Sequence, residues 1–155
     1  MITFRRILVP TDFSDNALSA LRYAVSMAVK FGAQIQLVHI VQDTALILPD
    51  SINPMPIAAP QTDQLMDIAE REFTELLENE PTHGVVIHTS VRVGSPYHEI
   101  TTAAKDLNAD LIVMGSQGRG AIMHMLMGSV AEKVVRHAPC AVLTVRHQFE
   151  SAVSE

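Results

Sequence analysis

The strongest constraint in this sequence is a regular alternation of two hydrophobic periodicities. Five short apolar runs rich in β-branched residues are separated by segments in which apolar residues recur every three or four positions. Strand-like runs that alternate with amphipathic helices are typical of crossover units around a parallel sheet. The sequence therefore predicts strands at about 6–10, 34–41, 85–93, 109–114 and 141–145, and helices at about 15–31, 62–79, 95–107 and 129–137.

Local signals support several of these elements. Ser14 precedes the first helix as an N-cap, and Gly32 is expected to end it. Ser95 and Pro96 form a cap and first-turn pair for the third helix. The run at 109–114 is continuously apolar, which predicts a central strand that is covered on both faces.

The chain is expected to form one domain. Its 155 residues suit a single hydrophobic core, and we find neither an internal repeat nor a domain linker. We assign residues 1–147 to this domain and 148–155 to a C-terminal tail. Residues 50–60 are expected to be a loop, because the stretch 49–60 carries four of the eight prolines.

Composition excludes several classes of function. Hydrophobic residues make up 48% of the chain and charged residues 18%, as in folded globular domains. The net charge of -6 leaves little positive potential for a nucleic acid. The single cysteine, Cys140, allows neither an intrachain disulfide nor a multi-thiolate metal site, and the seven histidines show no zinc spacing. With no export signal at the N-terminus and no apolar run long enough to span a bilayer, we expect a cytoplasmic protein without membrane insertion.

A glycine-rich segment between the fourth strand and the last helix carries the clearest functional signal. Gly115, Gly118 and Gly128 lie in it, and Ser129 opens the helix. Glycines allow close backbone approach to phosphate oxygens and tolerate positive φ, while the first amides of a helix attract anions. Ligands of parallel α/β sheets bind at the carboxyl ends of the strands. The spacing is neither a P-loop nor a dinucleotide fingerprint, and from spacing alone the glycines could serve only as turns.

Two blocks of the sequence together resemble the universal stress protein family over nearly the whole chain. Gly115, Gly118, Gly128 and Ser129 match the Gly-x2-Gly-x9-Gly-Ser/Thr signature of its ATP-binding members. The stretch 9–14, VPTDFS, resembles the end of the family's first strand, and 128–134 followed by Pro139 resembles its final helix and strand entry. The resemblance implies an adenine nucleotide alpha hydrolase-like α/β fold. This is an open five-stranded parallel sheet of order 3-2-1-4-5, with helices on both faces and the nucleotide beside strands one and four.

The resemblance also implies a set of ATP-binding residues, with magnesium held through the ATP phosphates and no metal ligands or catalytic residues in the protein. The adenine and ribose end would be lined by Pro10, Thr11, Asp12, Val41 (through its backbone), Met114 and Gly115. The phosphates would be surrounded by Gln117, Gly118, Arg119, Gly128, Ser129 and Val130. Ala131 and Gln117 replace residues that many ATP-binding members carry, so we expect fewer phosphate contacts. A homodimer through the fifth strand is a further implication.

The expected function is therefore that of an ATP-binding, regulatory stress-response protein with slow or no ATP hydrolysis and an unidentified protein partner. The alternative is an adenylating enzyme or a weak ATPase of the same fold superfamily. Adenylating enzymes usually carry a glycine-rich loop after the first strand, where this chain has Thr11-Asp12-Phe13-Ser14. A phospho-accepting receiver domain is disfavoured, because the third strand ends at Arg92-Val93-Gly94 without an Asp. A nucleotide-free stress protein is disfavoured by the complete glycine motif.

Some of these residues have a structural interpretation as well. Ser129 and Glu132 have the spacing of a capping box. Asp12 could cap the first helix together with Ser14. Cys140 is expected to be a small buried hydrophobe. Met123, Met125 and Met127 would cover a neighbouring apolar surface or form a flexible patch that binds a partner.

Overall fold

The computed structural model describes residues 1–42, 62–119 and 127–147. It contains one five-stranded sheet of order β3-β2-β1-β4-β5, with parallel pairing throughout. The predicted fold class and strand order are confirmed. The strands are β1 (Arg6–Thr11), β2 (Gln34–Val41), β3 (Ile87–Val93), β4 (Leu111–Gly115) and β5 (Ala141–Val145).

Within these described ranges, four helices cover the two faces of the sheet: α1 (Asp15–Phe31), α2 (Thr62–Asn79), α3 (Pro96–Asp106) and α4 (Ser129–His137). On one face, α1 and Phe73 of α2 form a core with Ile7 and Val9 of β1. On the other, α3 and α4 form a second core with Leu8 of β1 and Val38 of β2. Successive residues of a strand point to opposite faces, so the apolar strands at the centre of the sheet serve both cores.

The ends of the first helix agree with the local signals. The Ser14 hydroxyl accepts a hydrogen bond from the Ala17 amide at 3.3 Å, and Gly32 ends α1 with a left-handed φ of 66°. The first turn of α4 differs from its prediction. Its N-cap is Gly128, without a side-chain cap, and the Glu132 carboxylate pairs with Arg136 at 2.9 Å. The predicted capping box is therefore wrong, because the helix begins one residue too early for Ser129 to cap it.

Four strand boundaries differ slightly from the prediction. β1 extends to Thr11, β3 begins at Ile87, and β4 runs over Leu111–Gly115 rather than 109–114. The later start of β4 has a local cause. The Ala109 amide donates to the Ala104 carbonyl at 2.9 Å, so this residue closes the end of α3 instead of opening a strand.

Some expectations lie outside the described residues. These are the loop at 50–60, Met123, Met125 and the tail 148–155. Within the described ranges, no helix is both long and apolar enough to cross a membrane.

Candidate functional site

A cavity of about 520 Å³ opens where β1 and β4 end. In the strand order β3-β2-β1-β4-β5, β2 and β3 are added on one side of β1, and β4 and β5 are added on its other side. The direction in which strands are added therefore reverses between β1 and β4. This is the switch point at which parallel α/β sheets bind ligands. The volume lies in the range of about 300–1,000 Å³ that is usual for small-molecule and cofactor sites.

The structure brings the predicted site residues together around this cavity, with the exception of Val41. Its lining includes Pro10, Thr11, Asp12, Met114, Gly115, Gln117, Gly118, Arg119, Gly128, Ser129 and Val130. Val41 lines a smaller neighbouring cavity of about 210 Å³, and its carbonyl accepts from the Gly94 amide at 2.9 Å. Ile40 lines the larger cavity instead. Successive side chains of a strand point to opposite faces of the sheet, so Ile40 and Val41 line different cavities, and a contact of the nucleotide with the Val41 backbone stays a prediction.

The three motif glycines that the structure describes do not have positive φ, so conformational freedom is not the reason for glycine here. The three glycines differ in how close their neighbours would lie to an added Cβ atom. A Cβ on Gly115 would lie 3.1 Å from backbone and side-chain carbon atoms of Asn16, and one on Gly118 would lie 3.1 Å from Oδ2 of Asp12. A Cβ on Gly128 would meet nothing closer than the Ser116 carbonyl oxygen at 3.4 Å. Gly115 therefore allows α1 to pack against β4, whereas a Cβ on Gly128 would be accommodated without a clash.

Asp12 links the two sequence blocks that suggested the site. Its Oδ1 accepts from the Ser14 amide at 3.0 Å, and its Oδ2 accepts from the Arg119 amide at 2.9 Å. The first contact belongs to the turn before α1, in agreement with a local role beside Ser14. The second crosses from the end of β1 to the glycine-rich segment after β4. The carboxylate thus connects these two walls of the cavity.

The N-terminus of α4 forms a further wall of the cavity. Ser129, Val130 and Ala131 all line it. The first amides of a helix have no acceptor within the helix and carry the positive end of its dipole. The start of α4 is held in place by the Gly128 amide, which donates to the Ser116 carbonyl at 2.6 Å, and by the Ser116 amide, which donates to the Val145 carbonyl at 2.8 Å. The arrangement presents backbone donors to an anion.

Sequence reasoning missed several residues that line the cavity. They are Ala17 of α1, His39 and Ile40 of β2, Gln42 after β2, and Pro96 and Ile100 of α3. His39 and Gln42 could have been found, because they lie at the carboxyl end of a strand beside β1. Pro96 and Ile100 carried no such signal, since their place depends on how α3 packs across the sheet.

No cluster of three or more His, Cys, Asp or Glu residues in the described ranges could hold a metal ion. Cys140 is half-buried and packs against the α3–α4 core, close to its predicted role as a small hydrophobe. Burial, together with the negative charge of Asp110, raises the pKa of the Cys140 thiol. A raised pKa keeps a thiol protonated, so Cys140 lacks the character of a reactive nucleophile.

Comparison with known sequences now identifies the family. Residues 3–146 match the sequence model of the Universal stress protein family. The chain belongs to the universal stress protein family. A universal stress protein of Methanocaldococcus jannaschii is 33% identical over 148 residues, which are 92% of this chain and 82% of that protein. Universal stress protein YxiE of Bacillus subtilis is 31% identical over 147 residues, which are 92% of this chain and 99% of that protein.

Solved structures of universal stress proteins share this fold. UspA from Lactobacillus plantarum superposes with a TM-score of 0.75 at 29% identity, covering 94% of this chain and 100% of that one. Two more distant structures contain nucleotides. One is a universal stress protein in complex with cAMP, with a TM-score of 0.63, 24% identity, and coverage of 93% of this chain and 98% of that one. The other, from Arabidopsis thaliana, has AMP bound, with a TM-score of 0.60, 18% identity, and coverage of 97% of both chains.

Proposed function

We propose that this protein binds ATP in the cavity at the ends of β1 and β4 and acts as a nucleotide-dependent regulatory protein of the stress response. The observation that carries the proposal is the meeting of three features around one cavity of about 520 Å³. These are the carboxylate of Asp12, the glycine-rich segment and the first turn of α4. The structures of relatives with cAMP and AMP support a nucleotide as the class of ligand.

In this proposal, the two ends of the cavity hold different parts of the nucleotide. Asp12 accepts hydrogen bonds from ribose hydroxyls, which a carboxylate does well, and Ile40 and Met114 provide apolar surface for the base. Gly128 and the amides of Ser129 and Val130 hold the phosphates, because the space beside Gly128 permits close approach. Arg119 supplies a cation for the phosphate oxygens. Magnesium is bound by the triphosphate itself.

We further propose that ATP is held rather than consumed. Rapid phosphoryl transfer needs a positioned metal ion, a residue that orients the attacking water, and a cation on the developing charge. Among the described residues that line the cavity, Asp12 is the only carboxylate and Arg119 the only arginine or lysine. Gln117, in the glycine-rich segment, is our candidate for orienting water. Slow turnover suits a regulatory protein, because a switch requires only different affinities for its liganded and empty states.

The remaining parts of the proposal concern the whole protein. We propose a cytoplasmic protein with one domain at 1–147 and a tail at 148–155. We also propose a homodimer through β5 and a surface that a protein partner reads when the nucleotide changes. β5 pairs with β4 along one side, and no strand of the described residues pairs with its other side.

Two measurements test the bound ligand and its fate. Protein purified without added nucleotide is denatured, and the released material is identified by chromatography, with adenine nucleotide as the expected result. Single-turnover hydrolysis of ATP with magnesium should then be far slower than the usual enzymatic range of about 1–1,000 per second. A rate near one per second that is lost in Gln117→Ala would instead make this protein an ATPase.

A further inference from the structure

The turn between β1 and α1, residues 11–14, contains an unusual backbone conformation. Phe13 has a φ of 61°, in the left-handed region. A bulky side chain rarely adopts this region, and it persists there only where the surroundings impose it. Thr11 and Asp12 of this turn line the candidate nucleotide site, so the conformation of the turn affects that site.

Neighbouring groups impose this conformation from two directions. Within the turn, the Thr11 hydroxyl accepts from the Phe13 amide at 3.0 Å, and Oδ1 of Asp12 accepts from the Ser14 amide at 3.0 Å. The ring of Phe13 is held from outside the turn. Its centroid lies 4.8 Å from that of His39 on β2 and 5.2 Å from that of Phe73 on α2.

His39 also fixes the end of β1 directly. Its Nδ1 lies 2.8 Å from the Thr11 carbonyl oxygen, which can only accept, so Nδ1 is the donor. One side chain thus contacts the backbone before the turn and the ring within it. The turn is held by β2 and α2, two elements that follow it in the chain.

This turn determines the direction in which the Asp12 carboxylate points. With its Oδ1 tied to the Ser14 amide, the other carboxylate oxygen reaches the Arg119 amide at 2.9 Å. Gly118 permits this contact, because a Cβ there would lie only 3.1 Å from Oδ2. The glycine-rich segment is therefore held at one point by a carboxylate whose direction is set by the turn.

We propose that Phe13 is a positioning residue for the nucleotide site. Packed between His39 and Phe73, it keeps the turn in the form that directs Asp12 onto the Arg119 amide and so fixes the position of residues 118–119 after β4. This role is independent of the ligand. Its consequence for ATP affinity rests on the proposed function, since Gly118 and Arg119 line the cavity in which the phosphates are proposed to bind.

Amide hydrogen exchange, followed residue by residue by NMR on the full chain without nucleotide, tests this role. Phe13→Gly removes the ring but tolerates the left-handed φ, so the fold should survive. We expect Phe13→Gly and Asp12→Ala each to speed exchange of the Arg119 amide about tenfold or more, as for the loss of a hydrogen bond to a charged group. Phe13→Tyr keeps the ring and should exchange like the wild type.

A double variant separates this role from a general loss of stability. If Phe13 acts through Asp12, Phe13→Gly should not speed Arg119 exchange further in an Asp12→Ala background. Phe31→Ala is the matched control, because Phe31 packs on Phe4 and away from the turn. Unchanged Arg119 exchange in Phe13→Gly, additive effects in the double variant, or equal acceleration by Phe31→Ala would each overturn the proposal.

Titration of the same variants with ATP tests the consequence for binding. We expect Phe13→Gly to weaken ATP binding about tenfold and Phe13→Tyr to preserve it. A wild type that binds no ATP would contradict the proposed function, while the exchange result would still decide the role of Phe13. A wild type that binds ATP, with unchanged affinity in Phe13→Gly, would overturn the consequence for affinity.

Discussion

At the scale of single residues, the glycines of the motif have different structural reasons to be glycine. Gly115 lies where the start of α1 approaches β4, and Gly118 lies against the Asp12 carboxylate. Gly128 has an ordinary φ of -74°, and a Cβ there would meet its neighbours at ordinary contact distances of 3.4 Å or more. In the absence of ligand, neither backbone conformation nor packing requires glycine at 128. A ligand that approaches closely would supply the requirement.

Substitution of two of these glycines separates packing from ligand approach. Gly115→Ala should lower the free energy of unfolding by roughly 1–3 kcal/mol, because its Cβ would press on the backbone of Asn16, which cannot rotate away. Gly128→Ser should leave it nearly unchanged, because the site has room and serine is a favourable N-cap. Urea denaturation of both variants checks this. Equal destabilisation would contradict the difference in packing.

At the scale of secondary-structure elements, Asp110 ties the starts of two neighbouring strands together. Its Oδ2 accepts from the amides of Arg5 and Arg6 at 2.8 Å and 2.9 Å, just before and at the start of β1, while Asp110 itself precedes β4. Hydrogen bonds from the Arg6 and Arg5 amides hold the pKa of this carboxyl below its usual value. The charged form is therefore the one that stabilises the fold.

Asp110→Asn should lower the free energy of unfolding by no more than about 1 kcal/mol at neutral pH, because the group is exposed and screened by solvent. A lowered folded-state pKa contributes stability above the unfolded-state pKa, and this contribution is lost as pH falls through the folded-state value. The difference in the free energy of unfolding between wild type and variant should therefore become smaller at acid pH. Urea denaturation at pH 7 and pH 3 measures it, with Asp67→Asn on α2 as control. A difference that grows in acid would contradict the assignment.

The open edge of β5 provides a test of the proposed homodimer. The Val145 carbonyl accepts from the Ser116 amide on the β4 side at 2.8 Å. In a strand, the amide and carbonyl of one residue point to the same side, so those of Thr144 point to the open edge. Thr144→Pro removes an outward amide and should convert a dimer to a monomer in light scattering, whereas Thr144→Val should not. A wild type that is monomeric at micromolar concentration would contradict the dimer.

At the scale of the whole molecule, the alternation of periodicities was sufficient to predict each strand and helix of the described residues, because amphipathic helices cover both faces of the sheet. Local sequence does not fix the lateral order of strands, and the order 3-2-1-4-5 came from the resemblance to a family. Strand boundaries were predicted incorrectly where a backbone group is hydrogen-bonded to a neighbouring element, as at Ala109, whose amide donates to the Ala104 carbonyl of α3. The left-handed Phe13 was not predictable, because its conformation depends on His39 and Phe73, which lie far along the chain.

The most direct test of the central claim is calorimetric titration of ATP into the wild type and into Gly128→Val. We expect the wild type to bind one ATP per chain and Gly128→Val to show no measurable binding, because its side chain would fill the space through which phosphates reach the backbone. Thermal unfolding of both proteins should confirm that the variant is folded. Absence of ATP binding by the wild type, or unchanged affinity in folded Gly128→Val, would contradict the proposed site.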